Sequence, residues 1–262
     1  MLLAVDVGNT NIVFGIFDGE ILRESWRLAT LHDRTADEFG VLVGRLFAER
    51  GLEIQTVSGV VLSSVVPSLT GTLEEMVRHS FRLEPLIIDS TTAGLSVRYR
   101  APEDVGSDRL VNALAALDEY GGAGRAIVVV DFGTATTFDV ISIAGEYIGG
   151  LICPGIEISA DALFQRAARL PRIDVRRPEQ VIGVSTATSV QSGLYFGYVA
   201  MVDGLVDRLR RELDGDGPAV SVATGGMAET IAGETKTIDH IHPDLTLQGL
   251  RIAWCRNLGR KR

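Results

Sequence analysis

Residues 1–20 read MLLAVDVGNTNIVFGIFDGE. An apolar run from Leu2 to Val7 carries one carboxylate, Asp6. Gly8, Asn9 and Thr10 follow, and then a second apolar run from Ile12 to Phe17. Short apolar runs bounded by turn residues read as strands. Two readings of the turn between them are open. In one, the Asn and Thr side chains satisfy local backbone groups of a hairpin. In the other, successive backbone N–H groups form an anion-binding concavity, with Gly8 allowing a ligand close to the backbone.

Outward from this stretch, Asp18-Gly19 is a turn signal and Glu20–Leu28 extends the meander as a third strand. Apolar residues at Phe39, Leu42, Val43, Leu46 and Phe47 predict a helix over Thr35–Arg50, stopped by Gly51. Val57–Leu62 reads as a buried strand, Ser63 to Pro67 as a loop, Ser68–Phe81 as a helix and Leu86–Ile88 as a short strand. Arg109–Tyr120 is an Ala/Leu-rich helix, followed by the joint Gly121-Gly122-Ala123-Gly124.

Past that joint the pattern restarts. Ala126–Asp131, Thr136–Ile143 and Glu146–Ile152 read as strands. Ile156–Arg169 is a helix closed by Leu170-Pro171, and Ser185–Leu213 a long helix. Val220–Ala223 is a strand ending at Thr224-Gly225-Gly226, and Leu245–Asn257 a final helix. Val5-Asp6-Val7-Gly8-Asn9-Thr10 lines up with Val130-Asp131-Phe132-Gly133-Thr134-Ala135. Such an internal match predicts two related halves of mixed α/β architecture. It also favours phosphate binding, because two equivalent turns facing across a cleft can share one ligand. Asp6 and Asp131 would repel a bare phosphate, so a hydrated cation is expected between acid and phosphate. Thr224-Gly225-Gly226 offers bare backbone on which a base or ribose could rest.

Composition bounds the rest. The chain has 262 residues, with 25 Lys plus Arg against 34 Asp plus Glu. The acidic balance argues against a nucleic-acid binder, and the basic run Arg256 to Arg262 reads as a solvated end. No apolar stretch reaches the ~20 residues that span a bilayer, and no signal-peptide pattern opens the chain. The expected compartment is the cytoplasm, in keeping with only two cysteines, Cys153 and Cys255. Cys153 reads as a buried small residue. His240 and His242 could turn to one face of a strand, but lack further ligands for a metal. With lysine only at 236 and 261, no P-loop is present.

The stretch Tyr99 to Arg109 reads YRAPEDVGSDR. Asp108 is either a helix N-cap or a carboxylate beside Arg109 that accepts a proton from a hydroxyl nucleophile. Arg109 can hold it ionised or grip a substrate carboxylate.

Taken together, DVGNT, Y-x-x-P-x-x-x-G-x-DR, DFGTATTFD (Asp131–Asp139), GGLICPG (Gly149–Gly155), T-x-x-x-x-Q-S-G (Thr186–Gly193) and TGG resemble the type III pantothenate kinases. These belong to the acetate and sugar kinase, heat-shock chaperone and actin superfamily. The likeness runs along the whole chain. It implies an actin-like ATPase fold of two ribonuclease-H-like halves, residues 1–121 and 122–262, with the active site in the interdomain cleft. It implies ATP-dependent phosphorylation of the pantothenate 4′-hydroxyl, the first step of coenzyme A biosynthesis. Asp108 would be the catalytic base. Asp6, Val7, Gly8, Asn9, Thr10, Asn11, Ile12, Val13 and Thr134 would contact ATP. Tyr99, Gly106, Ser107, Asp108, Arg109 and Thr186 would contact pantothenate. Asp131 would hold a monovalent cation, K⁺ or NH₄⁺, and Asp6 would meet Mg²⁺ through water. A homodimer is implied. The family usually has alanine where this chain has Ser107, and the turn is expected to survive the added hydroxyl. The rival expectations are a related sugar- or acetate-type kinase and an inactive nucleotide-binding accessory protein of the same fold.

Overall fold

The computed structural model describes residues 1–122, 124–167, 173–213 and 219–260. Ala123, the Leu170-Pro171 stop and the end of the basic run at Lys261 and Arg262 lie outside them. Two compact units form. One comprises Met1–Leu95, Arg100–Ala115 and Leu245–Arg262; the other comprises Ser96–Tyr99 and Ala116–Asp244.

In the first unit, β1 (Leu2–Val7), β2 (Asn11–Asp18) and β3 (Ile21–Ala29) form an antiparallel meander. β4 (Gly59–Ser64) runs parallel to β1, and β5 (Leu86–Ile87) parallel to β4, giving the order β3-β2-β1-β4-β5. β1 is apolar on both faces because it lies inside the sheet. Leu3, Val5 and Val7 join Ile12, Phe14, Val60 and Leu62 in a core that also takes Phe39, Val43 and Phe47 from α1 (Ala36–Glu49) and Leu69, Leu73, Met76 and Val77 from α2 (Pro67–Phe81). α1 opens with a capping box: Thr35 Oγ1 accepts from the Glu38 N–H, and the Glu38 carboxylate accepts from the Thr35 N–H at 2.8 Å.

The opposite face of this sheet is covered from far along the chain. Gly15 and Gly59 leave room there for Leu247 and Trp254 of α7 (Leu245–Arg260): a Cβ at Gly59 would lie 2.2 Å from the indole. Gly249 brings α7 against α3 (Ser107–Tyr120), where a Cβ would lie 2.0 Å from the Val111 carbonyl. Thr246 donates to Asn112 at 2.7 Å. A division at 121/122 would assign α7 to the second unit; its glycine contacts assign it to the first.

The second unit repeats the plan. β7 (Ala126–Phe132), β8 (Ala135–Ile141) and β9 (Glu146–Pro154) form a meander, with β10 (Ala219–Thr224) parallel to β7 and β11 (His240–Ile241) parallel to β10. The two-residue β6 (Ser96–Val97) adds to β9. One face packs on the 27-residue α5 (Thr186–Glu212) through Tyr195, Tyr198, Val202 and Val206, and on α6 (Ala228–Ala232) through Ala228 and Ile231. α4 (Ile156–Arg166) precedes α5 and contributes Ile156. The expected duplication therefore holds strand for strand: β1 to β5 match β7 to β11 in order and direction.

Sequence and structure differ locally at Ser63 and Ser64. Both belong to β4, because they pair in register with Asp6 and Val7 of β1. β6 and β11 have two residues each, too few for a periodicity to register.

Candidate active site

Each unit places an acid one residue before the end of its central strand. Asp6 lies between Val13 of β2 and Ser63 of β4; Asp131 lies between Thr137 of β8 and Thr224 of β10. The following turns close alike. The Gly8 N–H donates to the Asn11 carbonyl at 3.0 Å, and the Gly133 N–H to the Ala135 carbonyl at 3.1 Å. The first turn is one residue longer. Asn9, Thr10, Gly133 and Thr134 are exposed, whereas Ile12 is core.

No left-handed backbone requires glycine at position 8. Its φ is not positive, and a Cβ there would meet only the Asn11 carbonyl, at 3.1 Å. The bare Cα faces outward, as close approach of a ligand demands. Thr30, at the end of β3, fixes this turn from behind. Its hydroxyl donates to the Gly8 carbonyl at 2.7 Å, and its N–H to the Thr10 carbonyl at 3.0 Å. Sequence reading missed Thr30, since its role depends on β2–β3 register alone.

Asp108 stands in the first turn of α3. The helix begins at Ser107, and the Gly106 carbonyl accepts from the Leu110 N–H at 3.2 Å, so Gly106 holds the cap position and the capping expectation for Asp108 is corrected. The Asp108 carboxylate curls back instead. Its Oδ1 accepts from the Arg109 N–H at 2.7 Å and lies where a Cβ on Gly106 would be, 2.6 Å away. Burial pushes this carboxyl above the ordinary aspartate range; the Arg109 N–H and the Arg109 charge oppose the shift without cancelling it. Arg109 itself is buried. The Ser107 hydroxyl is bonded to β4, through Ser63 Oγ and the Ser64 N–H.

In the second unit a glycine again makes room for a carboxylate. Gly225 has φ +93°, and a Cβ there would lie 2.4 Å from Asp131 Oδ1. On the side that a Cβ would take, the space at Gly225 is thus filled by Asp131, while Gly226 is exposed. The turn at Thr134 is closed by Gly155, whose N–H donates to the Thr134 carbonyl at 3.1 Å. On β8, the fully buried Asp139 accepts from Tyr147 Oη at 2.8 Å and from Thr137 Oγ1 at 3.1 Å. The Asp139–Tyr147 pair depends on the β8–β9 pairing, and an acid inside a strand reads like any other polar position. Tyr99 packs over Gly149, 3.6 Å from the space a Cβ would take, with its ring 6.3 Å from that of Tyr147. Thr186 opens α5 and lines an open groove of about 550 Å³ with Leu163, Ser189, Val190, Gly193 and Leu194.

Asp6 and Asp131 offer oxygen donors only, the set that suits hard cations, and the Gly225 cradle fits a carboxylate held for such a role. Among the described residues no group of three or more His, Cys, Asp or Glu is placed to hold a metal by itself. His240 stacks on Tyr120 at 4.8 Å, and His242 Nε2 lies 3.0 Å from Glu119 Oε2.

Comparison with known proteins identifies the family and the fold. A type III pantothenate kinase from Anaeromyxobacter sp. (strain Fw109-5) is 51% identical over 98% of this chain and 100% of its own. One from Myxococcus xanthus is 50% identical over 98% and 99%. Among solved structures, a Baf family protein from Campylobacter jejuni superposes with a TM-score of 0.62 at 19% identity, covering 98% of this chain and 99% of its own. MreB 5 of Spiroplasma citri bound to AMPPNP superposes with a TM-score of 0.55 at 12% identity, over 100% and 98%. The structural likenesses identify the actin-like ATPase fold. The type III pantothenate kinase family model matches residues 2–208, and on that match and the two relatives the chain belongs to the type III pantothenate kinase family.

Proposed function

We propose that this protein transfers the γ-phosphoryl group of ATP to the 4′-hydroxyl of pantothenate, releasing ADP and 4′-phosphopantothenate, the first step of coenzyme A biosynthesis. The observation that carries the mechanism is the Asp108 carboxylate, folded over Gly106 and raised by burial. A raised carboxylate is a better acceptor for the hydroxyl proton. As the new P–O bond forms and the bond to the ADP oxygen breaks, the proton passes to Asp108. Arg109 takes the pantothenate carboxylate, with Gly106, the Ser107 backbone, Tyr99 and Thr186 shaping the pocket.

The turn from Asp6 through Val13, and Thr134, are the ATP contacts. Backbone N–H groups of the glycine turns and the hydroxyls of Thr10 and Thr134 steady the phosphate charge. Asp6 is the residue for a hydrated Mg²⁺ and Asp131 for K⁺ or NH₄⁺; such cations neutralise triphosphate charge. With lysine only at 236 and 261, this protein leans on them and on its backbone.

The protein works as a homodimer in the cytoplasm in this reading. On α5 the exposed Gly193, Gly197, Ala200 and Gly204 repeat at heptad spacing, and a Cβ on any of the three glycines would meet nothing within 4 Å. Exposed Ile158, Leu163 and Phe164 of α4, with Val181, Ile182 and Val184, extend the apolar surface of the same unit. Small residues at that spacing suit a closely packed partner helix. No helix among the described residues is long and apolar enough to cross a membrane.

The test is turnover with pantothenate, ATP and Mg²⁺, with and without K⁺, for the wild type and Asp108→Asn. Turnover of a sugar or acetate in place of pantothenate sinks the substrate assignment; undiminished activity of the variant sinks the mechanism.

A further inference from the structure

The Ser107 side chain takes no part in the mechanism above, yet it is the most heavily bonded hydroxyl beside Asp108. It is buried, and so is Ser63, which is wholly shielded from solvent. Ser107 Oγ lies 2.9 Å from Ser63 Oγ, accepts from the Ser64 N–H at 3.0 Å and donates to the Ser64 carbonyl at 3.2 Å. A hydroxyl has one proton and two lone pairs. With the Ser107 proton on the Ser64 carbonyl, the pair between the two serines runs from the Ser63 O–H to Ser107 Oγ. All three capacities of Ser107 are then filled by the last two residues of β4.

Those two residues are the register partners of Asp6 and Val7 on β1. The first residue of α3 is thereby fastened to the strand that lies beside the Asp6–Gly8 turn. Further along, Ser64 Oγ accepts from Thr70 Oγ1 of α2 at 2.8 Å, so the receiving end of β4 is held as well. We infer that Ser63 and Ser107 are positioning residues, which set where Asp108 stands relative to the phosphate-binding turn. The inference rests on the assignment of Asp108 as the base. It is particular to a chain with serine at 107, since alanine there would leave the buried Ser63 hydroxyl and Ser64 N–H without this acceptor.

The experiment is steady-state kinetics on full-length Ser107→Ala, Ser63→Ala and the double variant, beside Asp108→Asn. A displaced base lowers kcat and leaves binding alone. The expected result is a kcat about tenfold lower for Ser107→Ala and severalfold lower for Ser63→Ala, with both KM values within about twofold of wild type. The double variant falls no further than Ser107→Ala, because Ser63 acts only through Ser107. Ser107→Thr, which keeps the hydroxyl, recovers most of the lost kcat.

A rise in the KM for pantothenate at unchanged kcat would show the hydroxyl touching substrate and overturn the inference. Unchanged kinetics in both single variants also overturn it. If Ser107→Ala melts below the assay temperature, Ser63→Ala decides on the same criteria. Asp108→Asn separates the two levels. Full activity there removes the base itself and this inference with it; lost activity there, with serine variants like wild type, removes only the inference.

Discussion

Gly106→Ala separates catalysis from folding at a single methyl group. The added Cβ would lie 2.6 Å from Asp108 Oδ1, 3.4 Å from a Val65 methyl and 3.7 Å from the Asp108 carboxyl carbon. Only the first contact is too close. It falls on the end of a movable side chain, so the carboxylate must retreat by about 0.8 Å to reach ordinary van der Waals separation. Alanine in place of glycine at a helix N-cap costs about 1 kcal/mol or less, and in a chain of this size that lowers the melting temperature by roughly 2–4 °C. A displacement of about 1 Å in a reacting group is worth on the order of 100-fold in rate. The assay is a coupled kinase measurement with pantothenate and ATP, beside a thermal melt. We expect kcat to fall about 100-fold, substrate KM values to stay within about threefold, and the melt to move only a few degrees. A variant with wild-type kcat refutes the placement of the base. A collapse of the melt by more than about 10 °C refutes the claim that the contact is absorbed by the carboxylate.

Three further outcomes follow from the same geometry. Gly8→Ala adds a Cβ whose nearest contact is 3.1 Å, so it should melt within a few degrees of wild type while the KM for ATP rises tenfold or more; an unchanged KM would mean that ATP does not approach this backbone. Gly225→Ala forces alanine to φ +93° and into Asp131; we expect a loss of about 2–4 kcal/mol and a higher K⁺ requirement, measured by denaturant melts and cation titration. Asp108→Asn should be inactive yet more stable than wild type at pH 7. Because the folded chain holds the Asp108 proton more tightly than the unfolded chain, the stability from this group is full below the ordinary value of 3.8 and is lost as pH rises through its folded value. Asparagine escapes that loss, so the two melting curves should converge towards pH 4; equal stability at every pH would contradict the burial assigned to the carboxyl.

The sequence revealed the duplication because its signal is local: an acid, a residue and a glycine at the end of an apolar run, twice. The structure extends that match to five strands in each unit. What stayed hidden depends on partners distant along the chain. Thr30 closes the first turn from across a strand pair, and Ser63 meets Ser107 from 44 residues away. The glycines at 15 and 59 are placed for α7, and Gly249 of α7 for α3, and no local pattern around any of them says so. Ser63 and Ser64 read as loop because polar residues after an apolar run ordinarily end a strand. Asp6 and Val7 override that propensity by pairing.

The glycines under α7 also bear on the order of synthesis. A ribosome adding ~5–20 residues per second finishes the strands of the first unit well before Leu247 and Trp254 emerge to fill the hollows at Gly15 and Gly59. The second unit, by contrast, has all its strands and helices once Asp244 is made. The half that begins first is therefore expected to mature last. A premature stop just before Leu245 should spare the second unit and ruin the first, which pulse proteolysis of stalled nascent chains can test by the order in which protected fragments appear.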